Sequence, residues 1–111
     1  MSKLYPPIIG GVIPAFYSGE TITIPYQKNR LTDHSLVKEF KMIVKSASTG
    51  NQLKILTSSS YSIDDEIENK ITFDGDDAVF KPGLYYKVQI AYVKYDGTVG
   101  YYSNISTIKC T

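Results

Sequence analysis

The chain has 111 residues, with 12 basic and 11 acidic side chains and a formal net charge of +1; this suits one domain around one core and argues against an electrostatic nucleic-acid binder. No run is long and apolar enough to cross a membrane, and the opening MSKLYPPIIGGVIPAF lacks a charged region, an unbroken apolar core and a small-residue cleavage site, so neither membrane insertion nor export is expected. Cys110 is the single cysteine, which excludes an internal disulfide or a cysteine-based metal cluster in one copy and fits a reducing compartment.

Along the chain, Pro6-Pro7-Ile8-Ile9-Gly10-Gly11 is extended by its prolines and released by its glycines. It reads either as a leading edge strand or, over residues 1–12, as an extended arm that docks elsewhere. In Glu20-Thr21-Ile22-Thr23-Ile24-Pro25-Tyr26 the alternation puts Ile22, Ile24 and Tyr26 on one face, while Pro25, without a ladder donor, suggests a sheet edge or a bulge. Between residues 29 and 38, Thr32, Asp33 or Ser35 is placed to cap a turn before Leu36-Val37. Phe40, Met42 and Val44 alternate with Lys41, Ile43 and Lys45, and Leu53, Ile55 and Thr57 resume the period beyond a polar connection, the pattern of a β-hairpin.

Acidic residues Asp64, Asp65, Glu66, Glu68, Asp74, Asp76 and Asp77 flank a short strand at Ile71-Thr72-Phe73. Pro82-Gly83 then marks a turn, Leu84 to Tyr95 a long strand, Asp96-Gly97 a two-residue type I′ turn, and Thr98 to Lys109 the returning strand. About seven strands punctuated by turns predict an all-β antiparallel sandwich, filling residues 1–111 as a single domain.

Six of the ten tyrosines lie between Tyr85 and Tyr102. With a two-residue turn, Tyr92 pairs with Tyr101, Ile90 with Ser103 and Val88 with Ile105. Tyr86, Val88, Ile90 and Tyr92 then share the core face, with Tyr101 across from them. Tyr85, Lys87, Gln89, Ala91, Val93 and Tyr95 share the solvent face, leaving Tyr85, Tyr95 and Tyr102 outside. A bulge near Ser103-Asn104 reverses the allocation on the returning strand.

Phe80-Lys81-Pro82-Gly83-Leu84-Tyr85-Tyr86-Lys87-Val88-Gln89-Ile90 resembles the passage of fibronectin type III domains in which an apolar residue, a Pro-Gly turn and a tyrosine lead into a long strand. The resemblance implies that Phe80 is the apolar anchor, Tyr86 the ring of a tyrosine corner, and Val88 and Ile90 inward residues; the Asp96-Gly97 turn and Ser103-Asn104 look like the end of that module. The family's tryptophan has no counterpart here, and Tyr26, Phe40 or Met42 is expected to fill its volume. The opening from Pro6 to Tyr17, with Ile24-Pro25-Tyr26, resembles the beginnings of fibronectin-like domains in bacteriophage tail or virion structural proteins. That second resemblance implies a structural module assembled in a bacterial host cytoplasm and held in a virion, with other virion or tail subunits, or further copies of itself, as partners.

Recognisable catalytic chemistry is sparse. His34 is the sole histidine and has no nucleophile elbow near it. Asp74-Gly75-Asp76-Asp77 offers hard oxygen ligands, and with residues 64–66 raises the question of calcium, but the spacing is not that of an EF-hand and a solvated acidic turn explains it. Asn104-Ile105-Ser106 matches the glycosylation acceptor pattern and reads as strand residues. No catalytic residue, cofactor or metal is therefore assigned, and neither nucleic acid nor membrane is expected as a partner. The expected function is non-enzymatic assembly through protein contacts, with Pro6, Pro7, Ile8, Ile9, Tyr17, Tyr95 and Tyr102 as candidate interaction residues. A carbohydrate-binding accessory role toward a host glycan, through exposed Tyr17, Tyr95 or Tyr102, is the alternative.

Overall fold

The computed structural model describes residues 5–10, 12–27, 29, 31, 33–58, 60–61 and 69–111. Its strands are β1 (Ile8–Ile9), β2 (Thr21–Gln27), β3 (Val37–Ser46), β4 (Gln52–Thr57), β5 (Ser60–Tyr61), β6 (Asn69–Asp74), β7 (Tyr85–Lys94) and β8 (Ser106–Lys109). Hydrogen bonding orders them β1-β2-β6-β5 in one sheet and β4-β3-β7-β8 in the other, all antiparallel. This is the strand allocation of an immunoglobulin-like β-sandwich.

The period of two builds the core. Ile22, Ile24 and Tyr26 of β2 and Ile71 and Phe73 of β6 meet Phe40, Met42 and Val44 of β3 and Tyr86, Val88, Ile90 and Tyr92 of β7, all buried in one cluster. Two groups of rings occupy its ends. Phe40 lies 5.0 Å from Tyr26 and 5.1 Å from Tyr92, and Phe80 lies 5.1 Å from Phe16 and 5.0 Å from Tyr86. Tyr26, Phe40 and Met42 are all buried, so the volume is filled without a tryptophan.

The leading segment is an edge strand of the domain's own sheet. Ile8 and Ile9 pair with Gln27 and Tyr26, and Asn104 reaches across the sandwich to accept the Ile9 N–H at 3.0 Å and donate to the Ile9 carbonyl at 3.3 Å. Of the two readings of the leader, the edge strand is the one the structure shows over residues 5–10. Pro25 is not on an edge strand, since β2 lies between β1 and β6. Its carbonyl accepts from Gly10 N–H, and because the N and O of one strand residue point to the same side, its missing donor faces the side where the two-residue β1 runs out. The local helical option resolves to a single 3-10 turn at His34–Leu36, with the Asp33 carboxylate accepting from the Ser35 N–H and hydroxyl.

The last hairpin departs from the expected register. Gly97 N–H donates to the Lys94 carbonyl, Lys94 N–H to the Thr98 carbonyl, and Gly97 alone has positive φ, at 89°, while Asp96 does not. The connection is a type I turn followed by a left-handed glycine, a three-residue loop rather than a type I′ pair. Val93 therefore faces Val99, and Val88 faces Ser106 rather than Ile105. Five steps on β7 face seven on the return, so the returning chain bulges between them and β8 begins only at Ser106. Ile90 and Ser103 do meet, the Ser103 N–H donating to the Ile90 carbonyl and its hydroxyl accepting from the Ile90 N–H. Tyr101, expected in the core, is 65% exposed, and Ile105 is exposed as well. Ala91 and Val93, expected on the solvent face, are buried; they stand beside Lys41 and Glu39 of β3, whose longer side chains overshadow short neighbours in a central strand.

Candidate interaction surface

Phe80, Pro82, Gly83 and Tyr86 make the corner that sets the start of β7. Leu84 N–H donates to the Lys81 carbonyl and Gly83 has a φ of 85°, so Pro82 and Gly83 occupy the two central positions of a type II turn, each suited to its dihedral. The Tyr86 hydroxyl accepts the Lys81 N–H at 2.7 Å and donates to the Val79 carbonyl at 3.4 Å. Its ring is buried against Phe80, and Val88 and Ile90 continue the inward face.

Beside this corner, facing the β3–β4 turn, lies a groove of about 580 Å³ lined by Ala47, Asn51, Leu53, Val79, Leu84 and Tyr85, among others. Leu53, Leu84 and Tyr85 are each about half exposed there, and Lys109 Nζ lies 5.6 Å from the Tyr85 ring centre. Leu53 carries the groove onto β4, where the ladder slips by one residue against Val44 and Lys45.

β4 is an edge strand. Ser58 N–H donates to the Phe40 carbonyl and Ser58 faces β3, so by alternation Leu56 and Lys54 turn their backbone groups to β3 while Ile55 and Thr57 turn theirs outward. Leu56 enters the core, whereas Ile55 remains 43% exposed and Thr57 is exposed. Lys54, the charged residue of the strand, lies 3.7 Å from Asp76. Sequence patterning puts Leu53 and Ile55 on a strand without marking their side as the outer one; with Leu56 directly after Ile55, apolar residues fall on both faces and the period alone does not choose.

Among the described residues, the other edges are blunted. β1 and β5 have two residues each, and β1 follows two prolines. The side of β8 is taken up by the segment around Phe16, which donates to the Lys109 carbonyl and accepts from the Thr111 N–H.

The candidate interaction residues do not converge. Pro7 and Ile9 are buried, Pro6 is half-buried with its carbonyl accepting from Asn29, and Ile8 is exposed. Tyr17, 61% exposed, sits at the end of the sandwich that carries Gly75 and Phe80. Tyr95, 69% exposed, sits in the β7–β8 turn at the other end, about 30 Å away along β7. Tyr102 is half-buried, which raises its pKa. In the turn, Asp96 accepts the Thr98 N–H at 2.9 Å, a bond that holds its carboxyl below the usual range.

Asp76 accepts the Ala78 N–H at 2.9 Å and caps the turn into Phe80. Asp64, Asp65, Glu66 and Glu68 lie outside the described residues; among those described, no three His, Cys, Asp or Glu side chains are grouped to hold a metal ion. Cys110 is buried beside Phe16, and burial pushes its thiol pKa up.

No protein-family model and no curated protein sequence matches the chain. Its fold is similar to part of the structure of Yersinia enterocolitica family 28 exopolygalacturonase, with a TM-score of 0.55 and 15% identity, covering 96% of this chain and 21% of that one. The chain thus spans about a fifth of the length of that protein, and the likeness is one of fold.

Proposed function

We propose that the chain is a non-enzymatic assembly module, a fibronectin type III-like sandwich that serves in a phage virion or tail and acts through protein–protein contacts. The observation that carries the reading is the β4 edge with outward Ile55 and Thr57, continuous through Leu53 with the groove at Leu84 and Tyr85. An edge strand of this length with exposed aliphatic side chains offers backbone pairing and apolar contact together. Many weak contacts of this kind hold firmly once copies are arrayed, because later contacts become effectively intramolecular. The opening resemblance to virion proteins supplies the setting, and the 5–10 segment serves the domain by completing its sheet rather than by reaching a neighbour.

Mass spectrometry of phage particles purified from the encoding host tests the reading. The chain should be present in fixed proportion to the tail or capsid subunits and remain through density purification. A chain found only in the soluble lysate, together with saturable polysaccharide binding that is lost on replacing Tyr17 or Tyr95, overturns assembly in favour of glycan recognition.

A further inference from the structure

We propose that two copies of the chain join β4 to β4 antiparallel, about a two-fold axis at Leu56, so that one sheet runs through both molecules. Self-pairing is a property of the isolated chain and requires no particle, so its failure leaves the virion reading standing.

The backbone sets the register. Ile55 and Thr57 are the residues whose N–H and C=O groups point away from β3, and an axis at Leu56 places Ile55 of each copy opposite Thr57 of the other in two hydrogen-bonded pairs. This register leaves Leu53, where the ladder slips, outside the pairing. On the outer face each isoleucine packs on a threonine, a favourable β-branched cross-strand pair.

Length and charge select a second copy as the occupant. Among the described residues, β4 at six residues is the long edge that is open, while β1 and β5 have two each and β8 is flanked by Phe16; the matching open edge on another copy is therefore β4 itself. A foreign strand selected by charge would find one ammonium, already 3.7 Å from Asp76. The axis at Leu56 sets Lys54 against Ser58 of the other copy rather than against its own counterpart, so like charges do not meet. One pair of short strands buries less than the ~1,200 Å² of a stable interface. The dimer is accordingly weak and forms at high concentration of the chain.

Two variants that each add one cysteine to the buried Cys110, Ile55→Cys and Thr57→Cys, test this directly, with the parent as background for Cys110 itself. Hydrogen-bonded cross-strand partners lie about 5.5 Å apart at Cα, within reach of a disulfide, whereas two copies of residue 55 are diagonal neighbours beyond ~7 Å. Mixed at high concentration with copper phenanthroline as oxidant, the two variants should form the 55–57 cross-linked dimer several-fold faster than either alone. Sedimentation of the parent should show concentration-dependent association that Ile55→Pro abolishes, because the N–H it removes faces away from β3. Cross-linking in the mixture no faster than in the separate proteins, or unchanged association in Ile55→Pro, overturns the proposal.

Discussion

Replacing Tyr86 with Phe deletes one oxygen and leaves the ring, its burial and its 5.0 Å edge contact with Phe80 in place. The lost oxygen accepts the Lys81 N–H at 2.7 Å and donates to the Val79 carbonyl at 3.4 Å, a short bond and a long one. Most of the cost lies in the Lys81 N–H, left beside a closed ring edge; a stranded backbone donor costs about 1–3 kcal/mol, and the site's partial burial places the change at about 1–2 kcal/mol. At about 2.1 cal/mol/K per residue the whole chain's unfolding entropy is roughly 0.23 kcal/mol/K, so Tm should fall by about 4–9 °C. Tyr85, one residue away and 53% exposed, supplies the control: Tyr85→Phe should change stability by less than about 0.5 kcal/mol. Urea melts of both variants with equal slopes provide the measurement, and equal losses would refute the corner's role in anchoring β7.

At Gly75, whose N–H bonds Glu20 and whose carbonyl accepts from Gly19, a Cβ would run into the Glu20 carbonyl; Gly75→Ala should destabilise by about 1–3 kcal/mol in urea melts, the cost of forcing backbone apart. Phe40→Ala, which empties the place between Tyr26 and Tyr92, should cost about 3–5 kcal/mol, and a loss below 1 kcal/mol would deny that these rings form the core. Burial pushes the Tyr92 hydroxyl up to about 12, against a smaller opposing effect of the Asn29 N–H. Its folded pKa lies above the unfolded one, so its contribution is fully present below pH about 10 and is lost as pH rises through about 12; tyrosinate absorbance should show a late step that Tyr92→Phe removes.

Local chemistry made part of this molecule legible from the chain alone. Pro82 and Gly83 each satisfy one dihedral requirement of a type II turn, and the alternation in Ile22-Thr23-Ile24 or Val88-Gln89-Ile90 marks an inward face, because both depend on residues within a few positions of one another. Asp96-Gly97 shows where that locality ends: the pair suits a type I′ turn and equally a type I turn closed by a left-handed glycine, and the bulged return past Ser103 decides between them. The resulting slip carries Tyr101 out of the core. The β4 edge lay further from view. Leu53, Ile55 and Leu56 are all apolar, and only the pairing of β4 with β3, together with the opposite sheet beneath it, sends Leu56 inward and leaves Ile55 at an open edge. The same holds for the leader, whose Pro6-Pro7-Ile8-Ile9 run suits an edge strand or a free arm; pairing with β2 and the bonds from Asn104, 95 positions away, hold it to its own domain. Strand period and turn type follow from neighbouring residues, whereas register and edge exposure follow from contacts between segments far apart in the chain.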